Sequence, residues 1–192
     1  PEIRSKVDPF VDLCLRTGVT QIKEWGTTPE AYRSAMYRLF YLGRNEHLAY
    51  DKLVRVLSPD TMLVSPGKES LLVDGIRGSH DPEYNWLSFP GKDLSVLIDL
   101  EKEMKIQHIE CAFYQRAFWL SLAPRKVEFY ISRNGKRFDL VETVENTLPI
   151  DQWDSFQRDF IADFSPRGAR YVKVIAYTIG NTPESHPGGG QP

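Results

Sequence analysis

The spacing of apolar residues changes character once along the chain. Over the first 60 residues it follows a helical period. Ile3, Val7, Phe10, Val11, Cys14 and Leu15 fall on one helix face, and Gly18 lies at or near its end. "TTPEAY" opens a second helix, with Thr28 as N-cap, Pro29 at the first helical position and Glu30 in the first turn. Ala31, Ala35, Met36, Leu39 and Phe40 form its stripe. "LGRN" at 42–45 breaks the pattern. A third helical run carries Leu48, Leu53, Val56 and Leu57 and stops at "SPD", 58–60. Helices this short bury a thin core alone. Residues 1–60 are therefore expected to pack on a neighbour, either the second half or an upstream domain.

After about Ser65 the period becomes two. "DLSVLIDL" alternates Leu94, Val96, Ile98 and Leu100, and "IECAFY" sets Ile109, Cys111 and Phe113 on one face. "KVEFYIS" alternates Val127, Phe129 and Ile131 with Lys126, Glu128 and Tyr130. Asn134-Gly135 then gives a hairpin signal, followed by "RFDLVETV". "FQRDFIADF" alternates Phe156, Arg158, Phe160, Ala162 and Phe164. "RYVKVIAY" is apolar on both faces, as a central strand is. Short strands with turn signals and no helices between them predict a β-sandwich or jelly roll. The expected architecture is mostly β: a sandwich over 64–192, preceded by a small α-helical segment over 1–60.

Composition narrows the function classes only a little. Lys and Arg number 24 against 26 Asp and Glu, a net charge of −2. That balance gives no reason to expect nucleic acid or an anionic membrane as partner. No stretch approaches the roughly 18 apolar residues of a membrane span. The chain begins at Pro1, carries no signal-peptide pattern and is read as a piece of a longer protein. Cys14 and Cys111 form no C-x-x-C pair and are expected to be buried free thiols.

Catalytic patterns are missing from the sequence. His47, His80, His108 and His186 fall in no metal-binding spacing, and His108 is expected half-exposed on a strand. There is no G-x-S-x-G elbow and no phosphate-binding glycine loop. "HPGGGQP" precedes no helix and reads as a flexible loop or tail. Asp81 and Glu83 share a loop, which is a common arrangement and a weak basis for an acid pair. This chain is expected to be non-enzymatic.

Four segments in order, "LLVDGIRGS", "NWLSFPGKDLSVLIDL", "RKVEFYISRNGKRFDLV" and "ARYVKVIAYTIGNTPESHPGGG", resemble the discoidin family. This is also called the coagulation-factor type C domain and overlaps the galactose-binding-like carbohydrate-binding modules. The likeness runs from about Val64 to Gly190 and is strongest to modules at the C-terminal ends of bacterial glycan-degrading enzymes, such as β-N-acetylhexosaminidases. The resemblance implies a sandwich of about eight strands with ligand-binding loops at one end. It also implies a secreted, extracytoplasmic protein with a catalytic domain upstream. Many members hold a structural calcium beside the first loop. Asp74 matches the Asp of their D-G turn, and Arg77 and Ser79 are positioned to add carbonyl or hydroxyl oxygens. The alternative is that Asp74 only caps a turn in which Gly75 takes a positive φ. The family's closing strand, ending in an acidic pair, has no counterpart before Pro192, which counts against calcium.

A sugar site needs an aromatic platform with polar groups around it. The loop within "FYQRAFWLSLAP", 113–124, is the first candidate, with Trp119 and Phe118 as platform and Gln115 and Arg116 as donors. Tyr84 and Trp86 are the second, and Asn181 and His186 in "NTPESHP" the third. Trp153, in "PIDQWDSF", could belong to the opposite end of the sandwich and is not counted among the candidates. The expected function is a carbohydrate-binding module that holds an attached glycan-active enzyme near its glycan. The alternatives are a protein-interaction or adhesion module, and an architectural domain bracing an upstream catalytic domain.

Overall fold

A computed structural model describes residues 47–58, 69–75, 86–89, 91–117, 120–149, 152, 154–186 and 189–190. The helical readings at residues 1–46 lie outside them. Five strands form one antiparallel sheet: β1 (Leu53–Val56), β2 (Leu94–Arg116), β3 (Lys126–Ser132), β4 (Asp139–Glu145) and β5 (Ser155–Tyr177). Their order across the sheet is β1-β2-β5-β3-β4. A short 3₁₀ turn spans Glu69–Leu72.

β2 and β5 are each 23 residues long. Straight, each would reach about 75 Å at 3.2–3.4 Å per residue. They are not straight. Leu94 and Val96, at the start of β2, share one core cluster with Phe160 and Ala162 of β5, whose partners Cys111 and Ile109 sit far along β2. The β2–β5 ribbon therefore folds back on itself, and the sandwich's two layers are largely its two halves. Two bulges make the corner. Residues 100–103 of β2 stand opposite Arg170 alone, and residues 164–166 of β5 stand opposite Gln107 alone. Extra residues on one strand bend a ladder and increase its twist.

The corner is tied by charge and backbone. Asp99 accepts two hydrogen bonds from Arg170, from Nε and Nη2, both at 2.8 Å. It also accepts the amide of Glu101 at 2.7 Å, and Glu101 is left-handed at φ 70°. The Arg170 guanidinium is the main cause that holds the Asp99 carboxyl below its ordinary pKa.

Inside, the alternation seen in the sequence is realised. Val127, Phe129 and Phe160 are fully buried, with Ile109, Cys111 and Phe113 packed against them. A second cluster, Leu100, Ile106, Ile131, Ala169 and Val172, fills the corner. The Cys111 thiol is unbridged, and its burial pushes its pKa up. Cys14 lies outside the described residues.

Residues 48–57 require a correction. They form a turn followed by β1, not a helix. Val54 and Val56 pack on the core, while Leu53 and Leu57 are 53% and 46% exposed. Pairing of Leu53–Val56 with residues 96–99 of β2 decides the conformation. Both alternations of "DLSVLIDL" and "IECAFY" belong to the single strand β2, and both of "FQRDFIADF" and "RYVKVIAY" to β5.

Candidate functional site

Register places the loops. Leu94 pairs with Ala176, Lys126 with Tyr177 and with Glu145. The segments before β2, before β3, after β4 and after β5 therefore leave the sheet at one end. Because the β2–β5 ribbon folds back, its Arg116–Ser155 end returns to that end too. Hydrogen bonds join these segments directly. Arg125 N donates to the Tyr177 carbonyl and Asn146 N to the Arg125 carbonyl, both at 2.8 Å. Thr178 N donates to Asp93 Oδ1 at 2.9 Å, and Asn146 Nδ2 to the Pro124 carbonyl at 3.0 Å.

Trp86 lies at this end, half-buried, with its ring 5.4 Å from that of Tyr114 and tilted 35° to it. Trp86 is not among the residues of either core cluster. Asn181 is exposed. Arg116 is half-buried and its backbone bridges Ser121, which closes the 117–120 loop. Phe118, Trp119 and Tyr84 lie outside the described residues.

Two expected donors are structural. Gln115 is 5% exposed. Its Nε2 donates to the Gln152 carbonyl at 2.6 Å and its Oε1 accepts the Ala123 amide at 3.4 Å. It clamps two loops together beneath the surface. His186 is 7% exposed, and its backbone closes the terminal loop through Pro183 and Gly189. Gln115 is drawn inward at the end of β2 by its bonds to Gln152 and Ala123, and His186 is folded into its own tight turn.

The Gln115 bond places Gln152 beside this end of the ribbon. The placement of Trp153 itself lies outside the described residues.

Arg158 sits inside a strand alternation, so its sequence context does not single it out. Three residues from the loop end of β5, its guanidinium lies 5.8 Å over the Phe160 ring. Nη2 lies 3.4 Å from Thr147 Oγ1, and Nε is buried without a hydrogen-bond partner among the described residues.

Asp74 lies elsewhere. Asp51 N donates to the Val73 carbonyl at 3.1 Å, which fixes the Asp74–Gly75 turn beside the start of β1, near the corner. Gly75 takes φ 76°, as a D-G turn requires. His47 feels the Asp74 charge, although burial dominates and lowers the histidine's pKa. No group of three His, Cys, Asp or Glu side chains poised for a metal occurs among the described residues. Arg77 and Ser79 lie outside them. No helix among the described residues is long and apolar enough to cross a membrane.

Comparison with known proteins places the chain. A search of curated protein sequences returns no significant match. Among solved structures, the module CpGH89CBM32-6 of Clostridium perfringens is 20% identical over 69% of this chain and 90% of its own, with TM-score 0.46. A fucose-binding module of Streptococcus pneumoniae is 20% identical over 71% and 87%, TM-score 0.48. Chitosan-binding module 1 of a Paenibacillus sp. IK-5 chitosanase/glucanase is 18% identical over 70% and 88%, TM-score 0.48. The F5/8 type C domain model matches residues 61–186, well over half of the sequence, and the chain belongs to that family, the discoidin domains.

Proposed function

We propose that the chain is a non-catalytic carbohydrate-binding module whose ligand sits on the loops at the Arg116–Ser155 end. The observation that carries this reading is the Trp86–Tyr114 ring pair, half-buried at the end of the sandwich where the loops meet. An aromatic surface of this kind suits a sugar's apolar face, and the polar side chains of the neighbouring loops suit its hydroxyl rim. The loop carrying Phe118 and Trp119 is anchored at its base by the Arg116–Ser121 bridge. The similar structures include a fucose-binding module and a chitosan-binding module, and sugars are the ligand class proposed here.

Such a module adds affinity for a surface without chemistry and raises the effective concentration of whatever is joined to it. A glycan-active enzyme outside the cell is the attachment this reading favours. Calcium belongs to the same proposal, held by the Asp74 carboxylate and carbonyls of its turn. Calcium takes a shell of such hard oxygens, and its part there is to stiffen the turn.

A glycan array on the chain, followed by calorimetry on the best ligand, tests the reading. Trp119→Ala and Trp86→Ala should each weaken binding about tenfold or more, the usual loss for a central aromatic anchor. Absence of any glycan ligand across a broad array with calcium present, or full affinity in both variants, rejects it.

A further inference from the structure

Away from the loops, the β3–β4 turn and the corner of the β2–β5 ribbon enclose a groove of about 510 Å³. Three guanidiniums line it, from Arg133, Arg137 and Arg167, against one lining carboxylate, Asp139. Two of the three are held in place. Arg133 Nε lies 3.2 Å from Glu103 Oε1 and 3.3 Å from the Gly168 carbonyl. Arg167 Nη2 lies 3.0 Å from Asp139 Oδ2. Gly168 is what allows Glu103 and Arg133 to close over the corner, since a Cβ there would lie 3.2 Å from Arg133 Nη2 and closer still to Glu103.

Arg137 differs. It is exposed, and its guanidinium has no ion pair or hydrogen bond among the described residues. With Asp139 and Glu103 set against three arginines, the surplus positive charge rests on it. Asn134 adds a donor. Its Oδ1 accepts the amides of Lys136 at 2.9 Å and Arg137 at 3.1 Å, which orients the side chain and leaves Nδ2 for a ligand. The floor includes Ile131, 2% exposed.

Guanidiniums pair with oxyanions through parallel N–H donors, and pinned ones lose little entropy in doing so. A groove of several hundred Å³ is the size of a small organic ligand rather than of a bare ion. We propose that this groove binds the carboxylate or sulfate group of an acidic glycan, as a second ligand site remote from the loops. It does not depend on the loop-end site.

Affinity electrophoresis and calorimetry of the whole chain with polygalacturonate, dextran sulfate and uncharged dextran test this. Binding to at least one acidic polymer is expected, and it should weaken as salt rises from about 0.05 to 0.3 M. Whichever polymer binds more tightly identifies the anion. Arg137→Ala should reduce affinity about fivefold, and Arg137→Ala with Arg167→Gln about tenfold or more, as for charge-assisted hydrogen bonds at a partly exposed site. Arg137 holds nothing else together, so its variant should keep the melting temperature and the loop-end affinity for a neutral glycan. Equal affinity of the parent and the double variant for both acidic polymers overturns the proposal. So does binding to vesicles of phosphatidylcholine and phosphatidylserine with none to either polymer. Loss of neutral-glycan binding in Trp119→Ala alone would concern only the loop end.

Discussion

Glu128 points outward from β3, yet only 12% of its side chain is exposed. Lys126 Nζ donates to Oε1 at 2.6 Å, and the hydroxyls of Tyr130 and Tyr177 donate to Oε2 at 2.6 and 2.8 Å. Lys126 is the main cause that pulls the Glu128 pKa down to about 2, and the carboxylate in turn pushes Tyr130 up to about 12. A carboxyl whose pKa falls on folding stabilises the fold at pH above its ordinary 4.5, and the gain fades as pH drops towards 2. Urea unfolding from pH 5 to 2 should therefore show a steeper acid loss in the parent than in Glu128→Gln. His108 carries the opposite sign. Asp163 Oδ1 lies 2.7 Å from Nδ1 and Glu110 Oε2 lies 3.6 Å from Nε2, and both carboxylates raise the histidine's pKa. Its contribution is complete below pH 6.5 and fades as pH rises through the folded-state value. An NMR titration should place His108 above 6.5, and Asp163→Asn should bring it down.

The β3–β4 turn shows how an element rests on one residue. Gly135 takes φ 70°, and a Cβ there would stand 3.2 Å from the Tyr171 ring. Gly135→Ala should cost about 1–2 kcal/mol, read by chemical denaturation, because left-handed backbone strains any side chain. Asn134-Gly135 announced this turn in the sequence, since such residues encode backbone geometry locally. Long-range pairing was harder to read. Leu53, Val56 and Leu57 fit a helical period as well as a strand, and four residues of β1 are too few to tell them apart. The corner of β2, "EKEMKIQH", looks like a loop because its residues are largely exposed at a sharp bend. It remains strand because β5 bulges beside it.

At the scale of the molecule, the fold keeps its two ends distinct. The loop end gathers Trp86, Arg116, Asn181 and Arg158, while the corner end carries the Asp74 turn and the arginine groove. The candidate site was legible as far as its loops, because motif order fixed which segments are loops. Which of their side chains face outward was not, because Gln115 is buried by bonds to Gln152 and Ala123 that its own sequence neighbourhood does not announce, and His186 is buried in the turn closed by Pro183 and Gly189. If calcium stiffens the Asp74 turn, millimolar calcium should raise the melting temperature by several degrees, and Asp74→Ala should abolish that rise. An unchanged melting temperature would remove calcium from the account.

The doubled ribbon also governs how the chain must find its shape. Its near end joins Arg116 to Ser155, and its far end joins Leu94 to Ala176. None of these contacts can form before a large loop has closed, and such topologies fold on the millisecond-to-second scale. The β3–β4 hairpin is the local piece available earlier, and β5 must then settle between it and β2. Until it does, both neighbours present open strand edges. Newly made chains are thus most exposed to aggregation during the interval before residues 155–177 have emerged and paired.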